Sequence, residues 1–282
     1  VTGKLLRKLV LGALLPGFAA CTELPFQDTA LPAVPETAQI IIVSEVHDNP
    51  RHHLIQAEYI RTLQPAAVAF EMLTSEQAEI SNSTAERGPA LADAIGWHDS
   101  GWPPWEIYQP VFEATGSTKI YGMALPRERV RRAVGESASA VFAGDSKAFG
   151  LTTPLPDDQQ AAREAHQQAV HCNMLPLELL GGMVEAQRLR DASFAATALT
   201  ALRETGGPVV VITGTGHARK DWGMPEAIAA ASPDTVVVSI GQLEKAATQS
   251  ANKAASDDES FYDHRLFADP VGREDPCQGM MQ

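Results

Sequence analysis

Short runs of branched apolar residues alternate along this chain with longer stretches of helical spacing. Ile40-Ile41-Ile42-Val43, Ala67-Val68-Ala69-Phe70, Lys119-Ile120-Tyr121-Gly122-Met123, Pro208–Thr213 and Thr235–Ile240 read as strands, most of them with the continuous apolar character of strands covered on both faces. Helical patterns fill the intervals. Asn49 as N-cap and Pro50 as first helical residue open one helix running to about Leu63, and another spans Ile107 to Thr115. The alternation predicts an α/β fold: a mainly parallel sheet covered by helices on both faces. One stretch breaks the rhythm. Residues 138–203 hold no strand pattern, while Asp158–His171 and Leu177–Leu202 carry helical spacing, which predicts a helical lid or cap inserted between strands. Residues 243–260, rich in Ala, Ser and Asp, read as a loop before the tail.

The first segment has a different character. Lys4, Arg7 and Lys8 precede an apolar stretch from Leu9 to Phe18, and Ala19-Ala20 lead into Cys21. The apolar run is shorter than the roughly 20 residues of a spanning helix, so residues 1–20 read as a signal peptide. Cleavage before Cys21 would free that cysteine for lipid attachment; ordinary cleavage near Ala20 is the other reading. Residues 21–38, with Pro25, Pro32 and Pro35, then form a lipid-anchor tether, and residues 39–282 one large α/β domain. The expected location is the cell envelope, as an exported, membrane-anchored lipoprotein facing the periplasm. Losing residues 1–20, with three basic and no acidic residues, moves the net charge from −13 to −16. That balance argues against a nucleic-acid partner and against broad adhesion to anionic lipid. With Cys21 lipidated, Cys172 and Cys277 remain, either as a disulfide tying the tail to a mid-chain helix or as two free thiols.

In an open parallel sheet the residues just past the carboxyl ends of strands converge on one crevice. Glu45 and His47 follow the first strand, Glu71 the second, and His217 a later one. A carboxylate beside an imidazole fixes its tautomer and raises its basicity, which serves a general base or a metal ligand. Glu45, His47, Glu71 and His217 are therefore the candidate catalytic set of a hydrolase, with a divalent metal as an optional helper. They can equally be polar residues at loop openings. The Gly214-Thr215-Gly216-His217 turn lets backbone N–H groups approach a ligand, and Arg219 and Lys220 could hold a carboxylate or propionate. His52, His53 and Gln56 lie near the start of the first helix and could line the same crevice. Three tryptophans between Trp97 and Trp105, with His98 and Trp102 among them, suit a flat π-rich ligand or a loop packing its own aromatics. His166 and His171 of the lid are candidate axial haem ligands or surface residues. Neither a CxxCH haem-attachment motif nor a G-x-S-x-G serine elbow occurs.

Taken together, Ser44–Pro50, His52-His53, Phe70-Glu71-Met72, the Trp97–Tyr108 stretch, His171-Cys172, Met183–Ala192, Gly214–Asp221 and Asp275-Pro276-Cys277 resemble the ChaN-type lipoproteins, bacterial proteins associated with haem-iron uptake. The likeness runs in order over nearly all of the chain beyond residue 21. The wider superfamily, with erythromycin-esterase-like enzymes and Tiki-type metallopeptidases, shares a G-x-x-H after the first strand, a Glu after the second and a late G-x-x-H. Those correspond here to Ser44–His47, Glu71 and Gly214–His217. The resemblance implies an exported haem-binding protein of haem and iron uptake, with haem as cofactor between sheet edge and lid, a homodimer contact and an outer-membrane haem receptor system as partner. It implies, as the alternative, a Glu/His-dependent hydrolase of the erythromycin-esterase or Tiki type. Two departures stand out: Ser44 replaces the first Gly, and residues 138–203 contain no tyrosine to match the family's haem-iron ligand. The haem-contacting candidates are accordingly His166, His171, His98, Trp102, Arg219 and His53.

Overall fold

A computed structural model describes residues 31–245, 259–274 and 277. Cys21, most of the expected tether and residues 246–258 of the expected loop lie outside them. The compact unit beginning at Pro32 is built on six parallel strands: β1 (Ile40–Glu45), β2 (Ala67–Phe70), β3 (Lys119–Gly122), β4 (Val209–Gly214), β5 (Val237–Glu244) and β6 (His264–Ala268). Their order is β3-β2-β4-β1-β5-β6. The described helices are α1 (Pro50–Leu63), α2 (Ser75–Asn82), α3 (Pro89–Ala94), α4 (Trp105–Thr115), α5 (Arg127–Glu136), α6 (Ala138–Val141), α7 (Asp157–Val170), α8 (Leu180–Thr205), α9 (Thr215–Ala218) and α10 (Met224–Ala231). Among them none is long and apolar enough to cross a membrane.

The topology fixes where a ligand can enter. From β1 the chain passes through α1 to β2, on one side; from β4 it passes through α9 and α10 to β5, on the other. β1 and β4 are neighbours, with Ser44 opposite Thr213 and Glu45 opposite Gly214. Their connections leave in opposite directions, which opens a crevice beyond their carboxyl ends. Both strands are buried along their whole length, as strands covered on both faces require. Ile40, Ile42, Val209 and Val211 pack beneath Phe194, Ala195 and Ala198 of α8 and Ile228 of α10. On the opposite face α1 and α4 pack together, and Phe112 stacks on Phe70 with ring centroids 4.7 Å apart.

Two expectations need correction. The stretch 243–260 is not all loop: β5 runs on to Glu244, and β6 begins at His264 as a parallel edge strand. Polar residues and Gly241 hide the end of β5 from a reading based on apolar runs, although Gln242 and Ser239 are fully buried. Nor is the whole of 138–203 a lid. Only α7, the following loop and the turns of α8 up to Arg190 overlie the crevice; from Phe194 on, α8 is a core helix against the sheet. A disulfide joins Cys172, just past α7, to Cys277 of the tail, with Cα atoms 5.4 Å apart.

Candidate functional site

Beyond β1 and β4 lies a cavity of about 550 Å³ whose walls include Glu45, His47, Glu71 and His217 from the strand ends and His166 and His171 from the lid. A volume of this size suits a small-molecule or cofactor site. The structure thus brings the strand-end groups and both lid histidines to one space.

Glu45 ends β1 and is fully buried. Its Oε1 accepts from His47 Nδ1 at 2.7 Å and from the Tyr108 hydroxyl; its Oε2 accepts from Gln56 Nε2 at 2.8 Å and faces His53 Nδ1 at 3.5 Å. Burial alone would raise this carboxyl, but the surrounding His53 and His47 outweigh it and hold the group well below the usual carboxylate range. Burial in turn works against a charged His47, and Glu45 overcomes it to raise the imidazole. His53 also donates from Nε2 to the His47 carbonyl at 2.9 Å, so it supports the loop from below without lining the cavity. His52 accepts from Val46 N at 2.8 Å, and burial lowers it to about 4, so it is neutral at physiological pH.

Glu71 follows β2 and forms the second group. Its Oε2 accepts from Thr213 Oγ1 and Gly214 N, both at 2.7 Å, and its Oε1 faces His217 Nε2 at 3.5 Å. The other nitrogen of His217 donates to Asp191 Oδ1 at 2.6 Å. An imidazole between two carboxylates favours its charged form: burial opposes this, but Glu71 and Asp191 raise His217 to about 9. Glu71 is correspondingly depressed, against its burial, by His217, His47 and Arg190. Burial raises Asp191. Glycine at 214 leaves room for the imidazole, since a Cβ there would lie 3.0 Å from His47 Nε2 and the ring would have to shift. Ser44, where the superfamily has Gly, turns its hydroxyl to β5, and Gln242 N donates to it at 2.9 Å.

The lid supplies an apolar and imidazole-bearing wall. His171 donates from Nδ1 to the Gln167 carbonyl at 2.8 Å, which leaves Nε2 as the nitrogen not engaged by that bond. Burial lowers His166, whose ring lies 5.6 Å from that of Trp222. Trp102 closes the cavity beside His47, centroids 5.0 Å apart, whereas Trp97 and Trp105 are buried in an aromatic cluster with Tyr108 and Phe112. Of the three, Trp102 stands at the cavity while Trp97 and Trp105 pack within the domain.

Three candidates sit elsewhere. His98 is exposed and faces Asp93 at 3.7 Å, outside the cavity. Arg219 is buried between Trp222 and Phe261, its guanidinium carbon 3.5 and 3.6 Å from the ring centres, and is bound to Asp221 at 2.6 Å. Lys220 pairs with Asp263 at 2.6 Å, so each of these basic residues is engaged by a carboxylate of the chain itself. Among the described residues no three His, Cys, Asp or Glu side chains are arranged to hold a metal ion, which leaves the metal-assisted form of the hydrolase without a ligand set. Sequence reasoning passed over Asp191, Gln187, Arg190 and Trp222. Gln187 and Asp191 stand four apart on α8 and both reach His217 Nδ1, a helical spacing that places the two on one face.

Residues 33–228 match the family described as haem-binding uptake, Tiki superfamily, ChaN. Among solved structures, one described as cofacial haem binding to ChaN of Campylobacter jejuni is similar to this chain with a TM-score of 0.57 and 19% identity, covering 81% of this chain and 87% of that one. The type III effector HopBA1 is similar at a TM-score of 0.41 and 12% identity, covering 83% and 88%. No curated protein sequence matches the chain.

Proposed function

The chain belongs to the ChaN family of haem-binding uptake proteins, Tiki superfamily, and from that premise we propose that it binds haem in the cavity between the strand ends and the lid, in the service of haem and iron uptake. The observation that carries the reading is the committed tautomer of His171: with Nδ1 donating to Gln167, Nε2 offers its lone pair at a cavity wall. This answers the missing lid tyrosine. The surroundings suit a porphyrin, with Trp102 and Trp222 as aromatic walls, Val170 exposed at the rim and Arg190 available to a propionate. Haem would supply the iron; these residues would hold it.

Haemin titration of residues 22–282, followed in the Soret region, tests the proposal. Saturable binding at a small fixed stoichiometry, weakened at least tenfold by His171→Ala or His166→Ala and spared by Glu45→Gln, is expected. A non-saturating response overturns it.

A hydrolase remains as a second reading because the paired arrays Tyr108–Glu45–His47 and Asp191–His217–Glu71 place more buried charge at the crevice than haem retention needs. Turnover of an ester or peptide that Glu45→Gln abolishes and His171→Ala spares would carry that reading instead. The proposal extends to location: residues 1–20 direct export, lipid on Cys21 anchors the chain in the envelope, and a homodimer working with an outer-membrane haem receptor completes the system. Loss of Cys21→Ser from the membrane fraction is expected; its retention there overturns the anchor.

A further inference from the structure

Beside the cavity of the strand ends is a second one, of about 620 Å³, separated from it by a wall of Glu71, Trp102 and Arg190 that lines both. Its chemistry is different. Arg127 and Arg131, on one face of α5, and Arg190 of α8 line it together with Leu125, Val130 and Trp102. Several arginines of this acidic protein are answered by a nearby carboxylate, such as Arg132 by Glu136, Arg163 by Glu226, Arg188 by Glu185 and Arg273 by Asp48 and Glu244. Arg127 and Arg131 have no carboxylate or hydrogen-bond partner among the described residues. Standing four apart on a helix they repel one another, which costs stability unless something negative lies between them. The Arg127 guanidinium is drawn in over the Trp102 loop: a Cβ at Gly101, whose φ is +84°, would lie 3.7 Å from Nη2. Glu71, the one carboxylate on the wall, does not neutralise the pair, since its oxygens are taken by Thr213, Gly214, His217 and Arg190.

From this juxtaposition we infer that the second cavity is a binding site for an organic anion, one carboxylate or phosphate group on an apolar body. The guanidinium groups of Arg127 and Arg131 take the anion, which suits their planar donor geometry. Leu125, Val130 and the outer face of Trp102 cover the apolar body. A volume of this size accommodates a molecule of about ten to twenty heavy atoms, in keeping with ordinary ligand sites. The site shares Trp102 and Arg190 with the proposed haem cavity, but neither His166 nor His171 touches it, so its anion pair can be tested separately.

Isothermal titration of the full mature chain with octanoate, octyl phosphate, inorganic phosphate and octanol tests the assignment. Saturable one-to-one binding of octanoate or octyl phosphate is expected, and the tighter of the two names the head group. R127Q/R131Q, two exposed positions whose replacement leaves the core alone, should weaken that binding at least tenfold, while His171→Ala leaves it unchanged. Octanol and inorganic phosphate should each bind at least tenfold more weakly than the amphiphilic anion. Equal binding of inorganic phosphate removes the apolar body from the assignment, and equal binding of octanol removes the anion. No saturable binding of either amphiphile, or full affinity in the double variant, overturns the site as a whole.

Discussion

His217 is the most constrained titrating group of the site, and its charge has a consequence for stability. Its folded-state value of about 9 lies above the ordinary 6.5, so its contribution is complete below about pH 6.5 and is lost as pH rises through 9. Glu45 and Glu71 are depressed, so theirs is complete above the ordinary 4.5 and is lost at acid pH. Burial depresses His52 and His166, so their contribution is lost in turn as pH falls below 6.5, and the protein is expected to be most stable near pH 6.5 and to weaken on both sides. Asp191→Asn removes one of the two carboxylates holding His217 charged. It should cost about 3 kcal/mol at neutral pH, the cost typical of breaking a buried pair, and move the alkaline limb to lower pH. Urea midpoints measured from pH 5 to 10 read both effects; superimposable limbs in the two proteins would contradict the role given to Asp191. At this scale the strand-end residues were legible because topology alone sends them to one crevice. Asp191 and Tyr108 were not, since each meets its partner from another element, 26 and 63 residues away in the chain. The sandwich of Arg219 between Trp222 and Phe261 was not legible, because the two rings cannot be placed around it from sequence.

Among the elements, those with a continuous apolar run or an unambiguous terminus read most clearly. β1, β2 and β4 are buried throughout, and α1 starts at Pro50 because Asn49 accepts from Arg51 N at 3.0 Å as its cap. Asn49 also donates to Glu244 at 2.7 Å and Asp269 O at 3.0 Å, tying the start of the helix to β5 and the tail. β6 was missed for a physical reason: it pairs on one side only, and its residues are half-exposed, with Phe267 turned to solvent. An edge strand carries no continuous apolar signature. α8 was misjudged in the other direction. One helix of 26 residues serves two layers, its first turns facing the cavity with Val184, Gln187 and Arg190 and its remainder buried in the core with Phe194, Ala195 and Ala198. Helical periodicity marks both parts alike, so a boundary between lid and core cannot be read from it. The same sharing makes α8 the mechanical link between the two cavities, because Arg190 lines both.

Across the whole molecule, the tail acts as a strap from the sheet edge to the lid. After β6, Arg273 binds Asp48 and Glu244, each at 2.7 Å, over the carboxyl ends of β1 and β5. Cys277 then joins Cys172, the residue following the proposed haem ligand His171, across 105 positions of sequence. A cross-link closing so long a loop stabilises chiefly by limiting the unfolded chain, an effect of roughly 2–4 kcal/mol. It also fixes the end of α7, and with it the position of His171 relative to the strand ends. Cys172→Ser/Cys277→Ser, or reduction, is expected to lower the urea midpoint by that amount and to weaken haemin binding beyond what the stability loss at low denaturant can cause. The second effect separates positioning from general loosening, because a protein still fully folded in the absence of urea should bind haemin normally if the bond served stability alone. A reduced chain with an unchanged midpoint and unchanged haemin affinity would show that the lid is held by α7 and α8 packing, with Arg163 bound to Glu226 at 2.9 Å as its anchor to α10.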